Sequence, residues 1–193
     1  MSSLKDLIPN DPVHQRRLEF RSFSLEGGRI IVEGRLKDDR LVPGFHWDET
    51  PIPIGVVHHM VVRILVGGTP PSILDAEAEM LDVPNELCPT TLDSVKRIIG
   101  LSIAHGYGEE VHKRIGGVKG CAHLTHLIVT MGAAAIHGLF AQNTRERRPV
   151  PRSLDDFPAL STVLRSCKLW DDDGPLLRKI REAMEPKGSS EET

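Results

Sequence analysis

The chain has 193 residues, a formal net charge of −3 and 39% hydrophobic residues, which suits one domain with an ordinary core. The small net charge and the 4% content of aromatic residues argue against a nucleic-acid-binding surface. No apolar run reaches the roughly 18 residues of a membrane-spanning helix, and the first residues lack the apolar core of a signal peptide. Three cysteines far apart in sequence do not resemble a disulfide framework. We therefore expect a cytoplasmic protein that binds neither nucleic acid nor membrane.

The first half of the chain predicts an antiparallel sheet. Residues 1–15 are polar and carry two prolines, and we expect them to form a flexible arm. Four later segments alternate apolar and polar residues, which is the pattern of half-buried strands. Gly27-Gly28 predicts a hairpin turn between the first two, and hairpin connections imply antiparallel pairing with one face open to water. The strands are predicted at 17–25, 29–36, 60–66 and 73–81.

After Leu81 the hydrophobic period changes to that of helices. Thr90 or Thr91 is the predicted cap of a first helix, which Gly100 interrupts. Two further helices are predicted at 107–115 and about 121–142, with glycines between them. A sheet followed by helices indicates an α+β fold, with an antiparallel sheet of three to four strands and helices packed on one face.

The chain divides by composition into a core and a C-terminal extension. The α+β core domain is predicted at 16–144 and contains a long loop at 40–56, a length typical of functional loops. A basic linker and a short helical C-terminal extension follow at 145–186, with helices predicted at 157–167 and 175–184. Residues 187–193 are predicted to be a disordered tail.

Cys121 is the first candidate for chemistry. It follows a glycine-rich segment and opens the longest predicted helix. Backbone N–H groups and the helix dipole favour a thiolate at that position. At 100° per residue Cys121 faces the apolar stripe, whereas His126 and His137 face water and His123 lies on the flank. A small buried hydrophobic residue is the alternative interpretation of Cys121.

Three other residues extend this candidate site. Cys88 also precedes a predicted helix, so both thiols can lie at one end of the helical layer. His58 is in phase with the apolar face of its strand, and His46 lies beside Trp47 in the long loop. The candidate catalytic residues are Cys121, His58 and His46. The candidate metal ligands are Cys88, Cys121, His58 and His123.

Thiolate and imidazole groups bind zinc or iron, so a metal cofactor of either kind is an open possibility. The same groups serve acid–base or thiolate catalysis. No dinucleotide-binding or phosphate-binding glycine motif is present, which disfavours a nucleotide cofactor.

Most of the chain, roughly 17–177, resembles a bacterial family of uncharacterised proteins. The similarity includes the segment at 73–78, Cys88-Pro89, the motif Gly-Gly-x-x-Gly-Cys-x-His-Leu at 116–124 and the segment at 166–170. Residues 58–140 resemble, more weakly, the iron–sulfur scaffold fold of the NifU/IscU type. Cys88 and Cys121 match two of its ligand cysteines, but no cysteine stands near Val56, where the first would align. This second resemblance implies a derived metal or thiol site.

Three functions remain open. The favoured one is an enzyme that acts on a small-molecule substrate by lyase or other proton-transfer chemistry, at a Cys/His site that can hold a metal. The inward-facing Cys121 and His58 and the long loop favour it. The alternative is a non-enzymatic metal-binding or iron–sulfur accessory protein, and the third is a structural domain with buried cysteines. A homo-oligomer is compatible with each.

Overall fold

The computed structural model describes residues 3–147, 151, 153–154, 156 and 160–184. Two compact units divide the chain, Met1–Gly138 and Leu139–Thr193. The predicted tail at 187–193 and several residues of the predicted linker lie outside the described residues.

The first unit contains the predicted antiparallel sheet, with longer strands than the sequence pattern indicated. Its four strands follow the order β1-β2-β5-β6. A short two-stranded hairpin, β3 and β4, lies within the segment predicted as a long loop at 40–56. The strands are β1 (His14–Ser24), β2 (Ile30–Arg40), β3 (Gly44–Phe45), β4 (Pro51–Ile52), β5 (Gly55–Gly67) and β6 (Ser72–Asp82).

One face of the sheet is the core. Along β2, alternate residues from Ile30 to Asp38 are buried, and the residues between them are partly exposed. The period of two along a strand puts all the buried positions on one face. The other face carries ion pairs such as those of Arg63 with Glu33 and Glu77. The predicted α+β fold, with one covered face and one wet face, is confirmed.

The long helix α2 (Ala122–Asn143) packs on the covered face. A Cβ atom at Gly34 of β2 would lie 2.9 Å from the sulfur of Met131 and 3.2 Å from the ring of Phe20. The missing side chain therefore lets α2 approach the sheet closely. Contrary to the expectation from the sequence, α2 is long and apolar enough to cross a membrane by length and composition alone. Leu124, Leu127 and Met131 are fully buried, however, as in the core helix of a folded domain.

The segment predicted as the first helix is a 3-10 helix, Cys88–Ile98. It begins after Leu87, so the prediction of a cap at Thr90 or Thr91 was wrong. Both threonine hydroxyls lie inside the segment and donate to carbonyls three residues back, at Leu87 and Cys88. Such side-chain bonds favour tight turns over regular α-helix. Val95 and Ile98, which a helical period places on one apolar side, are nevertheless buried.

The glycine-rich segment ahead of α2 has a structural explanation. Helix α1 (Tyr107–Ile115) ends where the sequence predicted, and Gly117 follows with φ +60°, a backbone conformation that favours glycine. A Cβ at Gly120 would lie 2.7 Å from the carbonyl oxygen of Ile115. The glycines therefore allow a tight connection between α1 and α2, and they do not by themselves indicate chemistry at Cys121.

The second unit contains two described helices, α3 (Leu160–Val163) and α4 (Pro175–Met184). The prediction at 175–184 is confirmed. The helix predicted at 157–167 is represented by α3 alone within the described part, and residues 157–159 lie outside it.

Candidate functional site

Strand pairing places three polar side chains in one row on the covered face. Asp38 is the next inward position of β2 after Leu36. The antiparallel register sets it opposite Arg16 of β1 and opposite His58 of β5. Residues directly opposite in such a ladder have their Cβ atoms about 4.5–5.5 Å apart. Side-chain contact across the row therefore follows from the register.

Asp38 is a buried carboxylate, 2% exposed. Arg16 donates to both of its oxygens, from Nε to Oδ1 and from a terminal nitrogen to Oδ2, each at 2.7 Å. These hydrogen bonds lower the pKa of Asp38 below its ordinary value, and burial opposes them. Since charge-assisted bidentate pairs are strong, Asp38 is ionised at neutral pH.

His58 is held by the same carboxylate. Its Nδ1 lies 3.1 Å from Asp38 Oδ2. An ionised carboxylate only accepts hydrogen bonds, so Nδ1 carries a proton. In the neutral ring Nε2 then has a free lone pair. His14 adds a second imidazole, with Nε2 at 3.4 Å from Asp38 Oδ1.

His123 reaches this row from the first turn of α2. Its ring centroid lies 3.9 Å from that of His58, at an interplanar angle of 34°. Its Nε2 is 3.9 Å from Asp38 Oδ2, and its Nδ1 is 3.9 Å from Cys121 Sγ. Burial lowers the pKa of His123, and the neighbouring His58 and Arg16 add to this, while Asp38 acts in the opposite direction. His123 is therefore neutral at pH 7.

The lowered pKa of His123 predicts acid sensitivity. The unfolded chain binds a proton at His123 as pH falls below the ordinary pKa of 6.5, whereas the folded chain binds this proton only at lower pH. The free energy of unfolding should therefore fall as pH drops from 6.5 toward the folded pKa. Urea unfolding should show that the free energy of unfolding decreases less between about pH 7.5 and pH 5.5 in His123→Gln than in wild type.

The matched control for this prediction is His137→Gln, because His137 is exposed on the same helix. It should retain the acid sensitivity of wild type. Equal losses of stability in His123→Gln and wild type would contradict the prediction.

A pocket of about 450 Å³ opens beside the row, within the size range of small-molecule sites. Asp38 and the imidazoles provide its polar wall, and three valines provide apolar contacts. One of these, Val57, is the extra residue of a β-bulge, because Asp38 pairs with His58 whereas Asp39 pairs with Val56. The pocket is lined by Val13, His14, Arg16, Asp38, Arg40, Val42, Val57, His58 and His123.

A family described as a protein of unknown function (DUF2889) matches residues 14–137. The chain belongs to the DUF2889 family. The match includes all the residues that line the pocket except Val13. Comparisons with curated proteins and with solved structures give no match.

The DUF2889 domain brings together three of the residues that the sequence singled out. His58 and His123 meet at Asp38, and Cys121 contacts His123. In the part of the chain that the structure describes, the group whose ligand atoms lie within 4.8 Å of one another is Asp38, His58 and His123. Cys88 is outside this group and is half-buried at the start of its 3-10 helix.

His46 is not among the described residues that line the pocket. It is exposed between β3 and β4, where its backbone N–H donates to the carbonyl of Thr50. Its neighbour Trp47 is 96% exposed and does not cover the pocket. His126 and His137 are exposed on α2, as predicted.

Sequence reasoning missed Asp38 and its partner Arg16, together with Arg40. A signal for Asp38 was present. The alternation that predicted a strand at 29–36, with Ile30 and Leu36 on its apolar side, continues by one more period to Asp38. An ionisable residue at an inward position of a strand needs a buried partner, and it is a candidate for function.

Proposed function

We propose that this DUF2889 protein is an enzyme that transfers protons on a small-molecule substrate, with His58 as the general base. The observation that carries the proposal is the 3.1 Å contact between His58 Nδ1 and the buried carboxylate of Asp38. Such a carboxylate fixes the orientation of the imidazole and stabilises its protonated form.

In this proposal His58 Nε2 removes a proton from a carbon or oxygen atom of the substrate. The charge gained by the imidazole is balanced by Asp38, which stays ionised because of Arg16. The His58 imidazolium then returns this proton elsewhere on the substrate or to a leaving group, while the neutral ring of His123 lies beside it as a hydrogen-bonding group. This exchange of protons needs no redox cofactor, and it fits a lyase or isomerase reaction.

Hydrogen–deuterium exchange tests the proposal without knowledge of the physiological substrate. The protein in D₂O is mixed with 2-oxo acids, 3-oxo acids, 3-hydroxy acids and their methyl esters, and loss of C–H signals is followed by NMR. We expect wild type to accelerate exchange in at least one compound. His58→Gln should slow it by about 10²- to 10⁴-fold, the usual contribution of a general base.

His59→Gln is the matched control. His59 is adjacent on β5 but lies on the opposite face, 3.6 Å from Asp82. This variant should exchange at the wild-type rate. Equal rates in the two variants, or the absence of exchange in wild type with every compound, would contradict the proposal.

The second candidate function is the binding of a divalent metal ion by Asp38, His58 and His123. It is favoured by the compactness of this group, in which the ligand atoms lie within 4.8 Å. Two imidazoles and one carboxylate form ligand sets for zinc or for iron(II), with positions left for substrate. Against it, both oxygens of Asp38 accept from Arg16, which places a positive charge beside the ion.

Metal analysis of protein purified without chelator distinguishes the two functions. Stoichiometric zinc or iron that is lost in His123→Gln would support the second candidate. Exchange activity that persists in metal-free wild type would support the first. The scaffold-like alternative, with Cys88 and Cys121 as ligands, requires metal loss in Cys88→Ser, and unchanged metal content in that variant counts against it.

A further inference from the structure

The pocket has more fixed positive than negative charge. Arg16 and Arg40 carry permanent charges, whereas Asp38 is the carboxylate among the lining residues. Arg16 is committed to Asp38 through two hydrogen bonds. The charge of Arg40 is therefore in excess before any of the histidines is protonated, and a pocket with this balance favours an anion.

Arg40 also has an unused hydrogen-bond donor. Its Nε is buried and finds no hydrogen-bond partner among the described residues. The adjacent Asp39 lies on the opposite face of β2, where it pairs with Arg17 and Lys37. A buried donor without a partner lowers stability, and an acceptor on a ligand would remove this cost.

The structure around Arg40 favours a planar anion with an apolar body. A guanidinium group matches the geometry of a carboxylate through two parallel hydrogen bonds. Val13, Val42 and Val57 line the same pocket and offer contacts to hydrocarbon. Arg40 is two residues beyond Asp38 on β2, which separates their Cα atoms by about 7 Å along the strand.

We propose that Arg40 binds the carboxylate group of a small organic acid whose apolar part contacts Val13, Val42 and Val57. The proposal rests on the function given above and names its substrate class. With the carboxylate at Arg40, the bond acted on lies a few bonds away, beside His58 and His123. Short oxo or hydroxy acids have this spacing.

Binding of isovalerate, 2-oxoisovalerate and 3-hydroxybutyrate tests the assignment. Each is titrated into the protein and followed by NMR of the arginine Nε–H and histidine signals, beside the neutral analogue isovaleramide and inorganic phosphate. We expect at least one carboxylate to bind and to shift the Arg40 Nε–H signal. Arg40→Met should weaken its binding by about tenfold to a hundredfold, the range for hydrogen bonds to charged groups.

Arg21→Met is the matched control, because Arg21 is an exposed residue of β1 that pairs with Glu19 on the surface. It removes the same charge and should leave binding unchanged. Arg40→Lys, which keeps the charge without the planar fork, should recover part of the affinity.

Equal binding of isovaleramide and isovalerate would overturn the carboxylate assignment. So would phosphate binding as tight as that of the best carboxylate, equal losses in Arg40→Met and Arg21→Met, or no binding of any carboxylate. These outcomes are independent of proton transfer. Binding through Arg40 without deuterium exchange would refute the catalytic proposal alone, and exchange that Arg40→Met leaves intact would refute the role of Arg40 alone.

Discussion

Asp38→Asn is expected to lower the free energy of unfolding by about 2–4 kcal/mol. The substitution removes the buried charge that balances Arg16 and that accepts from His58. This expected loss is small for the breaking of a buried ion pair, because the Arg16 side chain is 37% exposed. Urea unfolding at neutral pH measures the loss.

Two variants make this prediction specific. The double variant Arg16→Met/Asp38→Asn should lose less free energy of unfolding than the two single variants lose together. In the double variant no guanidinium is left unpaired, because Arg16 is also removed. Asp75→Asn, which breaks an exposed and solvent-screened pair with Lys96, should lower the free energy of unfolding far less than Asp38→Asn does. A loss in Asp38→Asn as small as that of Asp75→Asn would contradict the prediction.

The stability conferred by Asp38 should also depend on pH with a defined sign. Its pKa is lowered in the folded chain, so its contribution is present above the ordinary carboxyl pKa and is lost as pH falls toward the folded value. The difference between wild type and Asp38→Asn should therefore shrink below about pH 4.

Met131→Ala is expected to destabilise the protein by about 2–5 kcal/mol, the range for a fully buried large side chain. Met131 lies where α2 crosses Gly34. Adding Gly34→Ala should restore part of the loss, because the new methyl group enters the space left by the thioether. Alone, Gly34→Ala should destabilise by about 1–3 kcal/mol through the clash with Met131.

The control pair is Met80→Ala with Gly34→Ala. Met80 is half-buried on β6. The atoms nearest to a Cβ at Gly34 belong to Met131 and Phe20, not to Met80. These two losses should add. Additive losses for Met131→Ala and Gly34→Ala would contradict the proposed contact. The histidine signals of Gly34→Ala give a second measurement, since a displaced α2 should alter the ring contact between His58 and His123.

The fold could be predicted largely because its signals are local. Alternation along β2 and the apolar stripe of α2 identify buried positions one element at a time. The candidate site is not local. It depends on the register that aligns Asp38 with His58 across the hairpin-bearing segment at 40–56, and a one-residue change of register would separate them.

The sequence left the burial of His123 undecided for a different reason. A helical projection places it on the flank of α2, and whether a flanking residue is buried depends on how closely the helix approaches the sheet. Part of that distance depends on the missing side chain of Gly34, a residue of another element, where a Cβ atom would crowd Met131. Cys88 was selected because it precedes a predicted helix, and His46 because it lies in a long loop. Neither local signal determines which residues of other elements lie nearby.

The β-bulge at Val57 makes one part of the pocket lining independent of the contact between His58 and Asp38. Regular pairing would turn Val57 to the same side of the sheet as Asp39, but the extra residue lets it line the pocket instead. His58, on the regular side of the bulge, keeps its partner whatever side chain stands at 57. Under the proposed function, substitutions at position 57 should therefore change substrate preference while the contact between His58 and Asp38 stays in place. This position is a starting point for engineering selectivity.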